Sequence, residues 1–376
     1  MSPAYKLLTS TLLLAASLAA TATAGFAQAD ASSARNDARD REIAARFAPA
    51  FRQAFSDDRR SDYITNFDFD NDWRGDNNWE NAADTRFKLR AYVYYAVAET
   101  ATHYFVHYAV FHPRDYKGGG AGPLLSEAIR EGVRRGGRYD PTGISAGAVL
   151  AHENDMEGCL VVAAKSGDDL TGARVVAVQT LAHDRFMSYA PEGGFTAAAD
   201  GGVSVEDNRA QLYVEPEGHG VSAYFGGRVA PASRAGLMLY KFAGRAEDPE
   251  ASQGAEVGYE LVPLGTTLWP RARKGVGETF GRLTDYGVFT VMAADARGRA
   301  ASRKATLGRV GSSFAGKIGA LHAARPPWGW FDRSQRAEKP GAWFFDPAST
   351  IKRRYNLGAE FSTVYRHAPF LGVFRR

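Results

Sequence analysis

The sequence predicts a mainly β protein: an antiparallel β-sandwich with a few short helices and an aromatic-rich C-terminal tail. Three observations support this class. Forty glycines and 17 tyrosines favour strands and turns over a helical bundle. Several segments rich in aromatic and β-branched residues are separated by turns rich in Gly, Asp and Pro. Aromatic residues make up 12% of the chain and the net charge is only +4, which together exclude a largely disordered chain.

The first 29 residues are predicted to be a secretory signal peptide. Met1–Lys6 is a short basic region, Leu7–Ala24 is apolar, and Ala27-Gln28-Ala29 is a small-x-small cleavage signal. The mature chain is therefore expected to be secreted or periplasmic. No later stretch approaches 18 consecutive apolar residues, so no integral membrane segment is expected after cleavage.

Charge and cysteine content exclude several classes of protein. The small net charge argues against a general nucleic-acid binder. The single cysteine, Cys159, excludes a disulfide scaffold, a zinc ribbon and an iron–sulfur site. An exported domain without disulfides needs a large core for its stability, and a bound metal would add to it.

Residues 30–62 form a charged N-terminal segment that is predicted to contain a helix. Apolar side chains recur every fourth residue from Ile43 to Phe55, which is helical spacing, but Pro49 interrupts the pattern. We therefore expect the helix to end near Ala48 and an irregular path to lead into a single domain over residues 63–376.

That domain is expected to hold eight strands and one short helix. The helix is predicted at Pro123–Arg135, because apolar residues share one face and two glycines follow it. The final residues, 322–376, are rich in Trp and Phe and are expected to wrap the sandwich as an ordered tail, since exposed aromatic residues are costly. The predicted strands are Leu89–Glu99, Thr102–Phe111, Glu157–Ala164, Arg174–Thr180, Gln211–Val214, Leu237–Lys241, Val257–Val262 and Val288–Met292.

Polar residues around the third predicted strand suggest a metal site. If residues 155–157 are extended, Asp155 and Glu157 point to the same face. His152 precedes them in a turn, and Asp115 follows the neighbouring strand. Three carboxylates and one imidazole suit Ca²⁺ or Mg²⁺, and also Mn²⁺, better than zinc. Met156 stands where a zinc protease motif needs its second histidine.

Three more polar residues are candidates to support these ligands by hydrogen bonds: His219, His183 and Glu153. The alternative for the whole cluster is a turn held by ordinary hydrogen bonds, because polar turn clusters are common. A bound metal would serve either to recognise an anionic or hydroxyl-rich ligand or to activate water for hydrolysis. The sequence leaves open whether the protein is an enzyme.

The segment Tyr92–Val162 resembles the necrosis- and ethylene-inducing peptide-like proteins. The motif His-x-x-Asp-x-Glu, formed by His152, Asp155 and Glu157, follows a strand that ends in Pro-Arg-Asp at Asp115. Gly218-His219 is similar to a Gly-Ser-His element of the related vacuolar-protein-sorting-type family. The amino-acid sequence of these motifs also resembles that of an uncharacterised group of bacterial secreted proteins.

This resemblance implies a secreted β-sandwich cytolysin whose metal recognises a lipid head group or a glycan. The four positions that match the family's metal ligands are Asp115, His152, Asp155 and Glu157. The chain departs from the family's heptapeptide at four positions: Ala151, Glu153, Asn154 and Met156. It also lacks the family's disulfide and carries a long insert between Asp115 and His152.

A second motif suggests a serine lipid hydrolase. Gly143-Ile144-Ser145-Ala146-Gly147 fits Gly-x-Ser-x-Gly, a glycine-rich stretch lies upstream, and Asp200-Gly201-Gly202 lies downstream. Together they look like patatin-like hydrolases, with Ser145 as nucleophile and Asp200 as base. However, a turn precedes the serine where the fold needs an apolar strand. The alternative is a glycine-rich insertion between two strands.

The stretch Asp68–Asp76 carries alternating aspartates, which resemble a calcium loop. Trp73 stands where an EF-hand loop needs glycine, and Trp79 where it needs glutamate. Two interpretations stay open: a calcium loop of another kind, and a plain polar turn.

Overall fold

A computed structural model describes residues 36–115, 152–167, 169–194, 198, 200–225, 236–252, 255–295, 297–317, 324–335 and 338–375. The predicted signal peptide, the helix at Pro123–Arg135 and Ser145 lie outside these ranges. Within them, no helix combines the length and apolar character that crossing a bilayer requires.

Strands dominate the described chain, and helices are few and short. The strands are β1 (Ala50–Ala54), β2 (Tyr92–Thr100), β3 (His103–Asp115), β4 (His152–Ala164), β5 (Arg174–Ala182), β6 (Arg185–Pro191), β7 (Gly202–Val203), β8 (Val205–Glu206), β9 (Arg209–Val214), β10 (Val221–Ala223), β11 (Leu237–Phe242), β12 (Glu256–Pro263), β13 (Phe280–Asp285), β14 (Val288–Ala294), β15 (Ala300–Thr306), β16 (Arg309–Phe314) and β17 (Tyr365–His367). The helices are α1 (residues 36–47), α2 (Asn78–Ala83), α3 (Leu268–Lys274), α4 (Ala342–Phe345) and α5 (Pro347–Arg354).

One large sheet runs in the order β10-β9-β1-β11-β12-β2-β3-β4-β5-β6-β7. Most neighbours are antiparallel, but β1–β9, β11–β12, β12–β2 and β6–β7 are parallel. The sheet curls back on itself, so that β10 contacts β4 and β5. The mainly β prediction is confirmed. The clean antiparallel sandwich is wrong, because strands distant in sequence pair in parallel and build one mixed, nearly closed sheet.

The N-terminal segment contributes both a helix and a strand. α1 ends at residue 47, as its spacing and Pro49 predict. The irregular path expected after it is wrong, because β1 pairs with β11 on one side and with β9 on the other. Phe51 is fully buried between these neighbours. The helical spacing of the phenylalanines concealed a strand that starts just after the proline.

All eight predicted strands are present with shifted ends. The largest shift is in β4, which begins at His152 and pairs with β3 along its length, so that Asp115 lies opposite His152 and His112 opposite Asp155. The polar residues expected in a turn therefore continue the pairing of β3 with β4. Asn154 has a φ of +60°, which interrupts regular strand geometry between His152 and Asp155.

The aromatic tail is ordered, as predicted, and closes the core. Trp328, Trp343 and Phe345 are almost fully buried, and Trp330 donates a hydrogen bond to the carbonyl oxygen of Met156 in β4. The tail thus packs directly behind the strand that carries the candidate site residues.

The same packing predicts acid sensitivity. His107 of β3 is buried against Trp343, donates to that residue's carbonyl oxygen, and has a pKa that burial lowers to about 3. An unfolded histidine titrates near pH 6.5, so the unfolded state takes up the extra proton as the pH falls below that value. We expect the free energy of unfolding to drop by about 2–3 kcal/mol between pH 6.5 and 4.5 from this one residue.

Urea unfolding across this pH range measures the effect. His107→Gln keeps a hydrogen-bond donor but does not titrate, so its stability should fall less steeply below pH 6.5. A slope identical to that of the unsubstituted protein would contradict the assignment.

Candidate functional site

The deepest part of the candidate site is a fully buried histidine between two carboxylates. His219 Nδ1 lies 2.9 Å from Asp155 Oδ2, and its Nε2 lies 3.3 Å from Asp62 Oδ1. Burial lowers the pKa of His219, but the hydrogen bond to Asp155 and the nearby charges of Asp155 and Asp62 outweigh it and raise the pKa to about 10. His219 is therefore an imidazolium ion at neutral pH.

A second histidine stacks on this ion. The rings of His112 and His219 are 3.7 Å apart and parallel within 3°. Burial and the neighbouring His219 charge lower the pKa of His112 well below its usual range, so His112 is neutral. Its Nε2 lies 3.1 Å from Gln53 Oε1 in β1. The stack joins one charged ring and one neutral ring.

The paired ends of β3 and β4 hold a second histidine–carboxylate pair. His152 Nε2 lies 3.1 Å from Asp115 Oδ2, and His152 Nδ1 lies 2.8 Å from the carbonyl oxygen of Asn154. Burial lowers the pKa of His152, but Asp115, Asp155 and this carbonyl raise it to about 9 overall. The strand register places the pair, because Asp115 and His152 are direct partners.

Glu157 differs from these carboxylates because, among the described residues, the nearest histidine ring nitrogen, His183 Nδ1, lies 4.0 Å from its Oε1. Its Oε1 accepts a hydrogen bond from the backbone N–H of His183 at 3.1 Å. Its Oε2 is buried and has no hydrogen-bond partner among the described residues. Burial raises the pKa of Glu157 well above its usual range, and the charge of Asp155 adds to the shift. Asp155 and Glu157 stand two positions apart on β4, as the sequence predicts.

His183 and Glu215 form the outer edge of the site. His183 Nε2 lies 2.8 Å from Glu215 Oε2, and the two side chains are 51% and 42% exposed. The His183 ring lies against the backbone of Gly218 and Gly220, where an added Cβ would stand 2.6 Å and 3.1 Å from ring atoms. The two glycines that flank His219 therefore make room for His183.

The structure brings most of the predicted residues to one end of the sheet. Asp115, His152, Asp155 and Glu157 lie along the paired ends of β3 and β4, and His219 and His183 adjoin them. Among the described residues, no three His, Cys, Asp or Glu side chains are grouped as ligands of one ion. Metal binding by the four predicted ligands stays a prediction.

Glu153 is engaged elsewhere. Its two oxygens accept hydrogen bonds from the backbone N–H groups of Trp79 and Lys317. The neighbouring Asn154 side chain bonds to the carbonyl oxygens of Gly75 and Ala315. Asn154 ties the acidic stretch Asp68–Asp76 to β4 through Gly75, and Glu153 ties β4 to Trp79 and Lys317, a role different from the predicted support of a metal ligand.

The acidic stretch is a hydrogen-bonded turn. Asp70 accepts from the backbone of Asp72 and from Asn81, and Asp72 accepts from the backbone of Arg74 and from Asn77. These contacts favour the polar-turn interpretation over a calcium loop.

Asp200, the predicted base of a serine hydrolase, makes local contacts. It accepts from Arg185 at 3.0 Å and from the backbone N–H of Ser188 at 2.8 Å. It therefore links the turn before β7 to β6. Its predicted partner Ser145 lies outside the described residues.

The residues of the site that were missed from the sequence include Asp62 and Glu215. Asp62 precedes the predicted domain and Glu215 follows β9, and neither belongs to a recognisable motif. Glu215 stands only four residues before His219, which was a weak signal. Asp62 had none, because its approach to His219 depends on β1 joining β9 in the sheet.

No protein-family model matches the chain, and no curated protein matches it either. Solved structures do show similarity. One is Necrosis and Ethylene inducing Protein 2 from the causal agent of cocoa's witches' broom disease, with 15% identity, a TM-score of 0.26 and coverage of 50% of this chain and 71% of that one. Another is described as a toxin fold for microbial attack and plant defense, with 14% identity, a TM-score of 0.29 and coverage of 63% and 80%.

A third is NLPPya in complex with mannosamine, with 13% identity, a TM-score of 0.30 and coverage of 63% and 79%. The structures found thus include members of the family that the sequence resembles. In each case identity is low and the overlap is partial.

Proposed function

We propose that the protein binds a divalent cation at Asp155 and Glu157 and, through that ion, an anionic or hydroxyl-rich ligand such as a lipid head group or a glycan. The observation that carries this proposal is the buried Oε2 of Glu157, which has no hydrogen-bond partner among the described residues. Because residues 1–29 have the pattern of a signal peptide, we place this activity outside the cytoplasm. A cytolysin-like action on membranes belongs to the same proposal.

The chemistry of the two carboxylates suits a hard cation. Asp155 and Glu157 add like charges to one buried region, and the raised pKa of Glu157 reflects the cost of keeping it ionised there. A divalent ion would offset that cost, and oxygen ligands select Ca²⁺, Mg²⁺ or Mn²⁺. When bound, such an ion offers open coordination positions to ligand oxygens.

The surrounding residues would orient these carboxylates and receive the ligand. His219 orients Asp155 through its hydrogen bond, and the pair of Asp115 and His152 lies at the paired ends of β3 and β4. His183 and Glu215 are the exposed members of the site. A ligand arriving from solvent would therefore meet these two side chains first.

Calorimetric titration with Ca²⁺, Mg²⁺ and Mn²⁺ tests the cation. We expect at least one of these ions to bind, and Glu157→Gln to weaken its affinity by about tenfold or more, since a ligand charge is lost. Glu206→Gln, an exposed acidic position in β8, is the matched control and should bind like the unsubstituted protein. If no ion binds, or if Glu157→Gln binds as well as the control, the proposal is wrong.

Glucosamine and mannosamine serve as the first ligand probes. Their binding should require the added cation and disappear with a chelator. Binding that is unchanged by the chelator would separate ligand recognition from the ion and contradict the mechanism.

A further inference from the structure

The chain's net positive charge comes from one stretch of sequence. This stretch is distant in the chain from Asp155 and Glu157. Residues 271–310 contain nine Lys or Arg and three Asp or Glu, whereas the whole chain has a net charge of only +4. The rest of the chain is therefore slightly acidic. This region comprises the end of α3, the β13 strand, the β14–β15 hairpin and the start of β16.

Much of this charge lies on one exposed surface. Arg273 of α3 donates a hydrogen bond to the carbonyl oxygen of Leu307, which follows β15, so the end of α3 adjoins the base of the hairpin. We call this surface the basic strip. It carries five exposed basic side chains, Arg273, Lys274, Arg297, Arg299 and Lys304, and one of them, Arg299, pairs with Asp295.

The basic strip also carries exposed aliphatic side chains. Val276 is 60% exposed, Val288 45% and Met292 40%, and these are three of the six large hydrophobic residues that are exposed among the described residues. In β14 the exposed and buried residues alternate, so Val288 and Met292 share the outer face with Lys304, which lies opposite Thr290. Lys304, Val288 and Met292 thus share the outer face of the β14–β15 hairpin, and Val276 follows the basic end of α3 in sequence.

We propose that the basic strip docks the protein onto the surface of an anionic lipid bilayer. Each Lys or Arg near such a surface strengthens binding about fivefold. The exposed aliphatic side chains of the strip gain further by inserting at the head-group boundary. A nucleic acid or another soluble polyanion would use the charges but would leave Val276, Val288 and Met292 in water, which favours the bilayer.

The edge position of the hairpin does not explain this pattern. Among the described residues, β15 pairs with β14 alone, and cationic side chains on an edge strand hinder pairing with another chain. That protective role needs charges on β15 itself. It accounts neither for the basic end of α3 nor for the exposed aliphatic residues beside it.

Vesicle co-sedimentation in the presence of a chelator tests the proposal independently of the cation site. We expect the mature protein to bind vesicles of phosphatidylcholine with one-third phosphatidylglycerol, and to bind pure phosphatidylcholine much more weakly. Arg297→Glu with Lys304→Glu should lower the partition coefficient by at least about tenfold. Arg90→Glu with Arg174→Glu changes the same total charge at exposed positions elsewhere and should change it by less than about threefold, because it removes only long-range attraction.

A second double variant separates a bilayer from a soluble polyanion. Val288→Ser with Met292→Ser should weaken vesicle binding several-fold and leave retention on a heparin column unchanged. Circular dichroism and size-exclusion chromatography of each variant confirm that it is folded and monodisperse to the same degree as the parent.

Three results would overturn the proposal. The first is equal binding to anionic and neutral vesicles, and the second is an equal loss in the control double variant. The third is vesicle binding that ignores the two serine substitutions while following heparin retention, which would assign the strip to a soluble polyanion. Vesicle binding that vanishes in the chelator would instead belong to the cation site, so the two proposals fail separately.

Discussion

Replacing His219 with alanine is expected to lower the free energy of unfolding by about 3–5 kcal/mol at neutral pH in the presence of a chelator. The ring is fully buried and contacts Asp155 and Asp62. With its pKa raised to about 10, it is the cation that offsets both carboxylates. Without it, two carboxylates would share a buried space with no positive partner between them, and the stacking on His112 would be lost as well.

Urea unfolding of the variant measures this loss, and His183→Ala is the matched control. It removes an imidazole from the same site, but that ring is half exposed and its bond to Glu215 is screened by solvent. The control should cost no more than about 1 kcal/mol. If both variants lose the same stability, the buried pair is not the electrostatic centre of the site.

A double-mutant cycle sharpens the result. Asp155→Asn removes one of the two charges that His219 offsets, so it should make the later loss of His219 less costly. A coupling of about 0.5–3 kcal/mol is typical for residues in one ionic network. Additive effects of His219→Ala and Asp155→Asn would show that the two residues do not form the pair described.

The sequence was informative where the signal is local. Runs of aromatic and β-branched residues located β2, β3 and β4, and the two-residue period of a strand placed Asp155 and Glu157 on one face of β4. A second local argument predicted the ordered aromatic tail. Exposing Trp328 and Trp343 to water would be costly, so these side chains were expected to be buried. These conclusions need only neighbours in sequence.

Features that depend on strand pairing were not accessible in this way. Parallel pairing of β1 with β9 brings Asp62 towards His219, and no property of residue 62 announces that partner. The left-handed backbone at Asn154, His183 and His219 is also unexpected, since non-glycine residues seldom adopt it. Such conformations persist where the surrounding contacts fix them, as three segments do at this site.

The distribution of charge was also missed, because the small net charge of the whole chain conceals one strongly basic stretch. A net charge of +4 over 376 residues suggests no charged surface. The run from Arg271 to Arg309 is nevertheless strongly basic, and the hairpin fold places its side chains on an exposed surface. A count over windows of about forty residues would have identified the basic strip without a structure, whereas the exposed aliphatic residues require the burial pattern.

Gly158→Ala is expected to destabilise the protein by more than about 3 kcal/mol, at or beyond the upper end of typical overpacking costs. Gly158 lies in the middle of β4, directly after Glu157. A Cβ at this position would stand 2.0 Å from the carbonyl oxygen of Tyr108 and 3.0 Å from the ring of Trp330. The nearest atom belongs to the backbone of β3, so no side-chain rotation relieves the clash.

The clash is therefore expected to separate β3 from β4 at the residues that position the site. Trp330 is fixed above the glycine by hydrogen bonds from its Nε1 to the carbonyl oxygens of Met156 and Arg325, so the ring cannot yield easily. Gly277→Ala is the matched control, since an added Cβ there meets no atom within 4 Å. Thermal unfolding followed by circular dichroism should show a large loss for Gly158→Ala and almost none for Gly277→Ala. Equal stability of the two variants would mean that β3, β4 and the tail do not pack as closely as described, and that Glu157 is held less rigidly than its burial indicates.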